Sequence, residues 1–487
     1  MALVTFVARL RELAEEDPGR PAITCGGVTL SRAELESRAN RLARDLSLRG
    51  VTAGAMVTIA LPNSVDWLVT VVATWKLAAT PQPVSHKLPP RELAAIVELA
   101  QPAVVVGVPA ELAPNVPSIP AGYAPPAELS DAPLPNCASL SWKAPTSGGS
   151  TGRPKLIVSG DPSLFDAELP PPFEMRLNGC LAVPGPMYHN GPFLWAAFGV
   201  LYGNHVVLMP KFDPEQTLEL VARHGADQLF VVPTMMKRIW RLPDEVRSSY
   251  DVASLHSVWH GAEPCPAWLK EAWIGWLGPE RIFELYGATE GQATSTIVGT
   301  EWLEHRGSVG RPIIGEMAVF DTDGNRLPPG ESGEVWFRAA GEQATYRYVG
   351  AEPRRREDGW ESLGDNGYLD ADGYVYLNDR SEDMILVGGA NVYPAEIESA
   401  IQEHALVQSC AVIGLPDDDK GNRVHAIVEA DPLRLQDEDL LEFLRERLAV
   451  YKLPRSVEFV DEPLRGDDGK VRRKQLRADR LAPQLAT

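Results

Sequence analysis

Cysteine is scarce in this chain. Its five residues (Cys25, Cys137, Cys180, Cys265, Cys410) among 487 are scattered and odd in number. That argues against a disulfide framework or a thiolate metal site, and points to reduced thiols in a cytoplasm. Long apolar runs are missing as well: no stretch reaches the roughly 18 residues of a membrane-spanning helix. Acidic residues (Glu12, Glu15, Glu16, Asp17) follow the N-terminus at once, with no small-residue cleavage site, so no secretory leader is expected. Positive charge is in deficit, with 46 Lys and Arg against 66 Asp and Glu and a formal net charge of -20. That balance argues against a nucleic-acid partner and favours solubility.

The common phosphate loop is absent too. It requires Gly-x-x-x-x-Gly-Lys-Ser/Thr. What stands here is Thr146-Ser147-Gly148-Gly149-Ser150-Thr151-Gly152-Arg153-Pro154-Lys155, in which Arg-Pro separates the last glycine from the lysine and the hydroxyls precede the cation. Glycines let backbone come close to an anion. N–H groups, hydroxyls and cations can then all face phosphate oxygens. Taken alone, such a run also reads as a flexible surface loop.

Around this run the chain alternates. A short amphipathic helix is predicted over 1–20, ending near Pro21. A second starts at Ser31, with Glu34 completing a capping box and Leu35, Ala39, Leu42 and Leu46 at helical spacing. A strand (56–61), a helix (65–78), an extended stretch (81–84), a helix (91–100) and a buried-type strand (103–107) follow. Residues 108–136, rich in Pro and Ala, read as a surface connection. After the glycine-rich run come strands at 180–183, 206–209, 229–232, 257–260 and 281–285, with helices at 193–202, 215–223 and near 268–276. The alternation predicts parallel sheet flanked by helices, in two related subdomains. From about 305 to 380, short strands (333–337, 374–377) between Asp-Gly turns predict a small β-rich subdomain. From 383 the pattern is α+β: a helix (395–402), strands (409–413, 426–429), a helix (438–448) and a basic tail with Lys470, Arg472, Arg473, Lys474 and Arg477. The fold class is therefore α/β, with a large N-terminal domain of two sheet-and-helix subdomains plus a β-rich one, and a small α+β C-terminal domain.

Four further segments carry chemistry. Glu284-Leu285-Tyr286-Gly287-Ala288-Thr289-Glu290-Gly291 closes a predicted strand, where ligand groups gather in α/β sheets. Its hydroxyl and carboxylate suit Mg2+ shared with phosphates, although Glu290 alone also reads as a solvated loop carboxylate. Asp365, in Leu363-Gly364-Asp365-Asn366-Gly367-Tyr368, can accept hydrogen bonds from vicinal ribose hydroxyls or simply make a turn with Gly367. Asp379-Arg380-Ser381-Glu382-Asp383-Met384-Ile385, followed by Gly388-Gly389-Ala390-Asn391-Val392-Tyr393-Pro394, lies where the texture changes. It suits a hinge, or an ordinary charged turn. Gly469-Lys470 sits in the basic tail, whose plain reading is a solvated run.

In this order and spacing, over essentially the whole chain, the segments resemble the adenylate-forming acyl-CoA synthetases, whose superfamily also holds firefly luciferase and peptide-synthetase adenylation domains. The resemblance implies ATP, Mg2+ and coenzyme A, and two half-reactions: a carboxylate attacks the α-phosphate to give acyl-AMP and pyrophosphate, then a thiol takes the acyl group. It implies that Thr146, Ser147, Gly148, Gly149, Ser150, Thr151, Gly152 and Lys155 hold the β- and γ-phosphates, that Thr289 contacts the α-phosphate and that Glu290 ligates Mg2+. Gly261, Ala262 and Glu263 would line the adenine, with Glu284, Tyr286 and Gly287 completing the slot, and Asp365 and Arg380 would hold the ribose. Lys470 would bridge carboxylate and α-phosphate, where a fixed cation relieves repulsion between two anions. His189, in Pro186-Met187-Tyr188-His189-Asn190-Gly191-Pro192, matches an aromatic or His position beside the reacting carboxylate, and also reads as a satisfied loop histidine. The C-terminal domain is implied to be mobile. Domains 1–381 and 382–487 would alternate about Glu382, a position where the family has Asp or Lys. Rotation would withdraw Lys470 and bring Gly388 and Gly389 to line a pantetheine tunnel.

The segments matching the family's acyl pocket offer Phe193, Trp195, Pro233, Met235, Met236, Trp259 and Gly287. No Arg or Lys there suits a dicarboxylate and no Asp suits an ammonium, so the substrate is read as an apolar carboxylic acid. The middle region is similar to the bile-acid-CoA-ligase-like branch, implying a bulky alicyclic, steroid or terpenoid acid. A medium- or long-chain fatty acid or an aryl acid is the alternative. CoA or a carrier protein could accept the acyl group, and a homodimer is compatible with the resemblance. A non-catalytic scaffold would be expected to lack Lys470, Glu290, Asp365 or Arg380, and all four are present. Nothing argues specifically for a luciferase-like oxygenase.

Overall fold

The predicted alternation is realised as mixed α/β in a computed structural model, which describes residues 3–148, 154–166, 168–380, 383–387, 390–417, 421–465 and 471–481. The chain divides into two compact units. One comprises Met1–Ala262, Leu277–Thr294 and Ala339–Pro353; the other comprises Glu263–Trp276, Ser295–Arg338 and Arg354–Thr487.

Two parallel sheets organise the first unit. The smaller runs Thr80–Pro83, Met56–Ile59, Val104–Val106, Ser118–Ile119, all parallel. Thr80–Pro83 contains two prolines and lies at the edge, where a missing N–H breaks no ladder. The larger sheet holds the parallel strands Ile282–Gly287, Ser257–Gly261, Gln228–Val231, Cys180–Val183, His205–Leu208 and Pro21–Cys25, in that order. Its last strand departs from the sequence reading. The first helix stops at Glu16, and Pro21–Cys25 turns through Gly26 and Gly27 into Val28–Ser31 as an antiparallel hairpin. Ala22, Ile23, Thr24 and Cys25 are all buried, a continuous run that fits a strand covered on both faces and paired with His205–Leu208. The capping box forms as read: the Ser31 hydroxyl accepts from Glu34 N at 3.2 Å, and Glu34 Oε2 accepts from Ser31 N at 2.8 Å. Trp67, Trp75, Trp195 and Phe193 are fully buried in the core around these sheets. Each indole contributes roughly 4–6 kcal/mol of apolar burial before entropy is charged against it.

The second unit holds an antiparallel sheet of Glu316–Phe320, Gly333–Arg338 and Glu361–Leu369, with Val375–Arg380 and Arg354–Arg355 also paired to Glu361–Leu369. The Asp-Gly turns behave as read; Gly373, for instance, sits at φ +83°. Its C-terminal part packs Pro394–Gln402, Asp437–Arg445 and Arg473–Leu481 about the strands Ser409–Asp417, Gly421–Glu429 and Ser456–Val460.

Candidate active site

The glycine-rich run is the end of a β-hairpin. Thr146–Gly148 pairs antiparallel with Pro154–Ser159 in the register Thr146↔Leu156, Ser147↔Lys155 and Gly148↔Pro154. Gly149, Ser150, Thr151 and Gly152 lie outside the described residues, as does Arg153. Tyr346–Val349 extends the hairpin to three strands, with Tyr348 opposite Ile157. The base of the hairpin is tied down by neutral groups. Thr58 donates to Gln82 Oε1 at 2.6 Å, and Gln82 Nε2 donates to the Thr146 hydroxyl at 2.7 Å. Gln82 is fully buried in the edge strand, so both ends of its amide are used.

Glu290 follows the Ile282–Gly287 strand and is only 6% exposed, which overturns its reading as a solvated carboxylate. Its Oε1 accepts from Tyr348 Oη at 2.5 Å and lies 3.5 Å from Lys155 Nζ. The Lys155 ammonium sits 3.8 Å from the centre of the Tyr348 ring, and the Glu290 carbonyl accepts from Thr345 at 2.8 Å. Burial and the Glu290 charge push the Tyr348 hydroxyl's pKa far up, so it remains a donor. Thr289, half-buried, precedes this carboxylate. A carboxylate beside a cation at the root of a glycine hairpin can neutralise and orient a polyphosphate with its metal.

Gly261 ends its strand in register with Leu285, and His260 lies opposite Glu284. A Cβ on Gly261 would stand 2.5 Å from the Leu285 carbonyl oxygen, so the two strand ends meet as closely as they do only with glycine there. Ala262 follows at φ +68°, a left-handed conformation that costs a residue with a Cβ roughly 1 kcal/mol or more. Strain at this point, beside exposed Gly287 and half-buried Tyr286, marks a strand end shaped for something other than packing. Glu284 is buried. Glu263 belongs to the second unit, 3.8 Å from Arg465.

His189 immediately precedes the Asn190–Leu201 helix, and its ring packs 4.5 Å from that of Tyr188. Asn63 shapes the approach: its Nδ2 donates to the carbonyls of Gly185 (2.8 Å) and Met209 (2.9 Å), and its Oδ1 accepts from Met187 N (2.8 Å). Asn190 accepts a hydrogen bond from the Lys143 ammonium, which also lies 4.5 Å over the Trp142 ring. Burial pulls the Lys143 pKa down to about 7, against the attraction of Asp161 and Glu290.

In the second unit, Asp365 and Arg380 are direct register partners on adjacent antiparallel strands. Asp365 thus lies within the Glu361–Leu369 strand rather than in a turn with Gly367. A register shift between Asp365 and Gly367 sets it apart from the regular ladder, as bulges near ligands do. Lys470, Glu382, Gly388 and Gly389 lie outside the described residues. The residues flanking Lys470 are described: Arg465 bridges Val471, and Arg465 and Arg473 both reach the buried Glu398, at 3.3 and 2.8 Å. Arg473 also pairs with Asp383 at 3.1 Å.

The residues read as an acyl pocket are largely packed on one another. Trp195 stacks on Phe230 (4.2 Å) and on Phe173 (4.6 Å), and Trp259 stacks on Phe283 (4.8 Å). Phe193 packs edge-on against Trp67 and tilted against Trp142, buried in the core. Sequence reasoning missed Gln82, Tyr348, Asn63, Lys143 and Glu398. Only Gln82, an amide between two prolines in an apolar stretch, left a trace in the sequence.

The donor set can be tested against a magnesium ion. Mg2+ takes one or two carboxylates and completes its shell with phosphate oxygens and water. Among the described residues, no group of three or more His, Cys, Asp or Glu could hold a metal unaided. Glu290, a lone buried carboxylate beside Lys155, fits an ion that arrives with a nucleotide.

Comparison with known proteins places the chain in a family. The AMP-binding enzyme family matches residues 10–348, and the AMP-binding enzyme C-terminal domain matches residues 396–467. A fatty acid–[acyl-carrier-protein] ligase, ScoC, of Streptomyces coeruleorubidus is 31% identical, covering 98% of this chain and 96% of its own. The long-chain-fatty-acid–CoA ligase FadD13 of Mycobacterium tuberculosis is 30% identical, covering 92% and 93%. Among solved structures, ATP-bound MatB from Rhodopseudomonas palustris superposes with a TM-score of 0.79 at 27% identity, covering 97% of this chain and 98% of that one. Among the described residues, no helix is long and apolar enough to cross a membrane.

Proposed function

Because the chain belongs to the AMP-binding enzyme family and is an ATP-dependent acid–thiol ligase, we propose that it activates an apolar, ring-bearing carboxylic acid as its acyl-adenylate and passes the acyl group to coenzyme A. The observation that supports the site assignment is the buried Glu290 carboxylate, held beside Lys155 at the root of the glycine hairpin. In the first step a carboxylate oxygen of the acid attacks the α-phosphorus, and the bond to pyrophosphate breaks. Lys155 and the hairpin hydroxyls hold the departing phosphates. Thr289 donates to the α-phosphate, and Lys470 relieves repulsion between the two anions. Glu290 would hold Mg2+ arriving with the nucleotide, and that ion would supply charge neutralisation for the leaving pyrophosphate. In the second step a thiol attacks the acyl carbonyl, the acyl–phosphate bond breaks, and AMP leaves.

Gly261, Ala262, Glu263, Glu284, Tyr286 and Gly287 line the adenine, Asp365 and Arg380 hold the ribose, and His189 orients the acid. The domains are 1–381 and 382–487, which alternate about Glu382, with Gly388 and Gly389 lining the thiol's path. The enzyme is cytoplasmic. For the acid, the likeness of the middle region to the bile-acid-CoA-ligase-like branch supports a ring-bearing substrate of alicyclic, steroid or terpenoid type, while Trp195 and Phe230 are buried on one another in the core. A second reading has a specific support: ScoC is named for a carrier-protein acceptor and a fatty acid, so a carrier-protein thiol and a chain-like acid stand as the competing pair.

The test offers ATP, Mg2+ and CoA with cholate, abietate, ferulate or laurate, and reads acyl-AMP and acyl-CoA separately by mass spectrometry. Acyl-CoA from cholate or abietate is the expected outcome. Acyl-CoA from ferulate or laurate alone moves the substrate to the aryl or fatty class, and acyl-AMP without acyl-CoA moves the acceptor to a carrier protein. No product from any acid rejects the reading.

A further inference from the structure

Lys143 is a buried cation of unusual standing. It is 5% exposed, and its ammonium donates to a neutral amide oxygen on Asn190. Among the described residues it makes no ion pair with a carboxylate. An ammonium in such surroundings carries most of its desolvation cost uncompensated. Folds rarely keep that arrangement unless an anion is to arrive.

Its place in the fold suggests which anion. The Lys143 carbonyl accepts from Ser159 N at 3.0 Å, so Lys143 stands at the base of the phosphate hairpin. Thr146, Ser147 and Gly148, the described residues read as phosphate-holding, lie three to five positions further along the chain. That is roughly 10–16 Å at strand rise, beyond the reach of the side chain. The Asn190 contact joins Lys143 instead to the turn that carries His189. One of its three N–H donors is used there, the charge also lies 4.5 Å over the Trp142 ring, and among the described residues no carboxylate takes the remaining donors.

We infer that Lys143 is a positioning residue for the acid substrate, tying the His189–Asn190 turn to the hairpin by its hydrogen bond and drawing the substrate carboxylate into place by its charge. This rests on the proposed ligase activity. Two carboxylates bear on the ammonium. Asp161, itself raised in pKa by burial, and Glu290 both favour the protonated form. Lys155 lies on Glu290 and offsets part of its field. Desolvation outweighs these attractions and brings the group to about 7. Acid binding by the free enzyme should therefore weaken as pH rises through that value, because the proton is then lost.

The experiment measures ATP–pyrophosphate exchange from pH 6 to 9 with whichever of cholate, abietate, ferulate and laurate drives it best. It compares the wild type with K143Q, which keeps an amide donor without charge, and K143R, which keeps the charge at every pH. N190D, which supplies Lys143 with an anion, is a second route if the Lys143 variants melt early. The expected result for K143Q is a loss in kcat/KM for the acid of about 10- to 100-fold, the scale of a charge-assisted hydrogen bond, with the KM for ATP unchanged. The wild-type fall above pH 7 should be absent from K143Q and K143R, and displaced to higher pH in N190D. K143R should recover most of the lost activity. A K143Q enzyme with the wild-type pH profile and acid KM overturns the inference while leaving the ligase reading intact. Wild type that exchanges with none of the acids overturns the ligase reading, and the inference with it.

Discussion

The glycine hairpin carries Lys155 and the other segment flanks Lys470 in the sequence, and the described parts of the two are held by opposite means. The hairpin base is fixed by a neutral relay from Thr58 through Gln82 to Thr146, and the Glu290 carboxylate lies beside its cation. The Lys470 flanks are fixed by charge: Arg465 and Arg473 converge on buried Glu398, with Asp383 as a second partner for Arg473. The difference follows from what each must receive. A cradle for polyphosphate must keep its positive field available, and neutral hydrogen bonds hold it without consuming charge. On the proposed reading, a segment that delivers Lys470 can spend arginines on anchoring, because their charge is cancelled locally by Glu398 and Asp383.

The sharpest way to break this comparison is to remove Lys470, the cation proposed to serve the first half-reaction. Lys470→Ala should cut acyl-AMP formation by about 10²–10³-fold, the scale of losing one transition-state donor. Conversion of supplied acyl-AMP to thioester should persist. Equal loss in both half-reactions would show that Lys470 does something other than serve the first. Next in size is the anchor. Glu398→Gln leaves two arginines facing a neutral amide in a buried place, and should cost about 2–3 kcal/mol in a urea midpoint shift, less than a fully buried pair because Arg473 keeps Asp383. Adenylation should fall more than acyl transfer. Unchanged stability would mean that the charges are solvated and the contrast with the hairpin is false.

The hairpin side is tested by Gln82→Leu, which removes both ends of the relay and leaves two threonine hydroxyls unsatisfied. Each such group costs about 1–3 kcal/mol. The expected outcome is lower thermal stability together with a KM for ATP raised about tenfold, while the acid KM stays put. A change confined to stability would make the relay a packing feature only.

How much of this was legible beforehand follows from the range of the forces involved. The Ser31–Glu34 capping box is local, and appears as read. Asp365 and Arg380, singled out apart, prove to be register partners. Glu290 was identified from its place after a strand, yet its burial depends on Tyr348, far along the chain, which no local pattern links to it. The Pro21–Cys25 strand was missed because its neighbour in the sheet, His205–Leu208, lies far away in sequence. Lys143 and Glu398 were missed for a related reason. A charged residue in an ordinary stretch looks solvated until tertiary packing closes over it. The aromatics were read as pocket residues, and Phe193 has gone into the core instead.

The finest test of the comparison is Tyr348→Phe. The ring that underlies the Lys155 ammonium is retained, so the cation–π contact survives and only the hydroxyl's bond to Glu290 is lost. One hydrogen bond to a charged group, partly replaceable by water, is worth about 1 kcal/mol, or roughly fivefold. That loss should appear in the KM for Mg-ATP, since the freed Glu290 oxygen rotates more easily. The pH profile should keep its wild-type shape, because burial and the neighbouring carboxylate already hold the Tyr348 proton in place across the whole working range. A larger loss than this, or a new limb in the profile, would mean that the single carboxylate at the hairpin depends on its neutral neighbour as strongly as Glu398 depends on its arginines, and the distinction between the two modes of anchoring would fail.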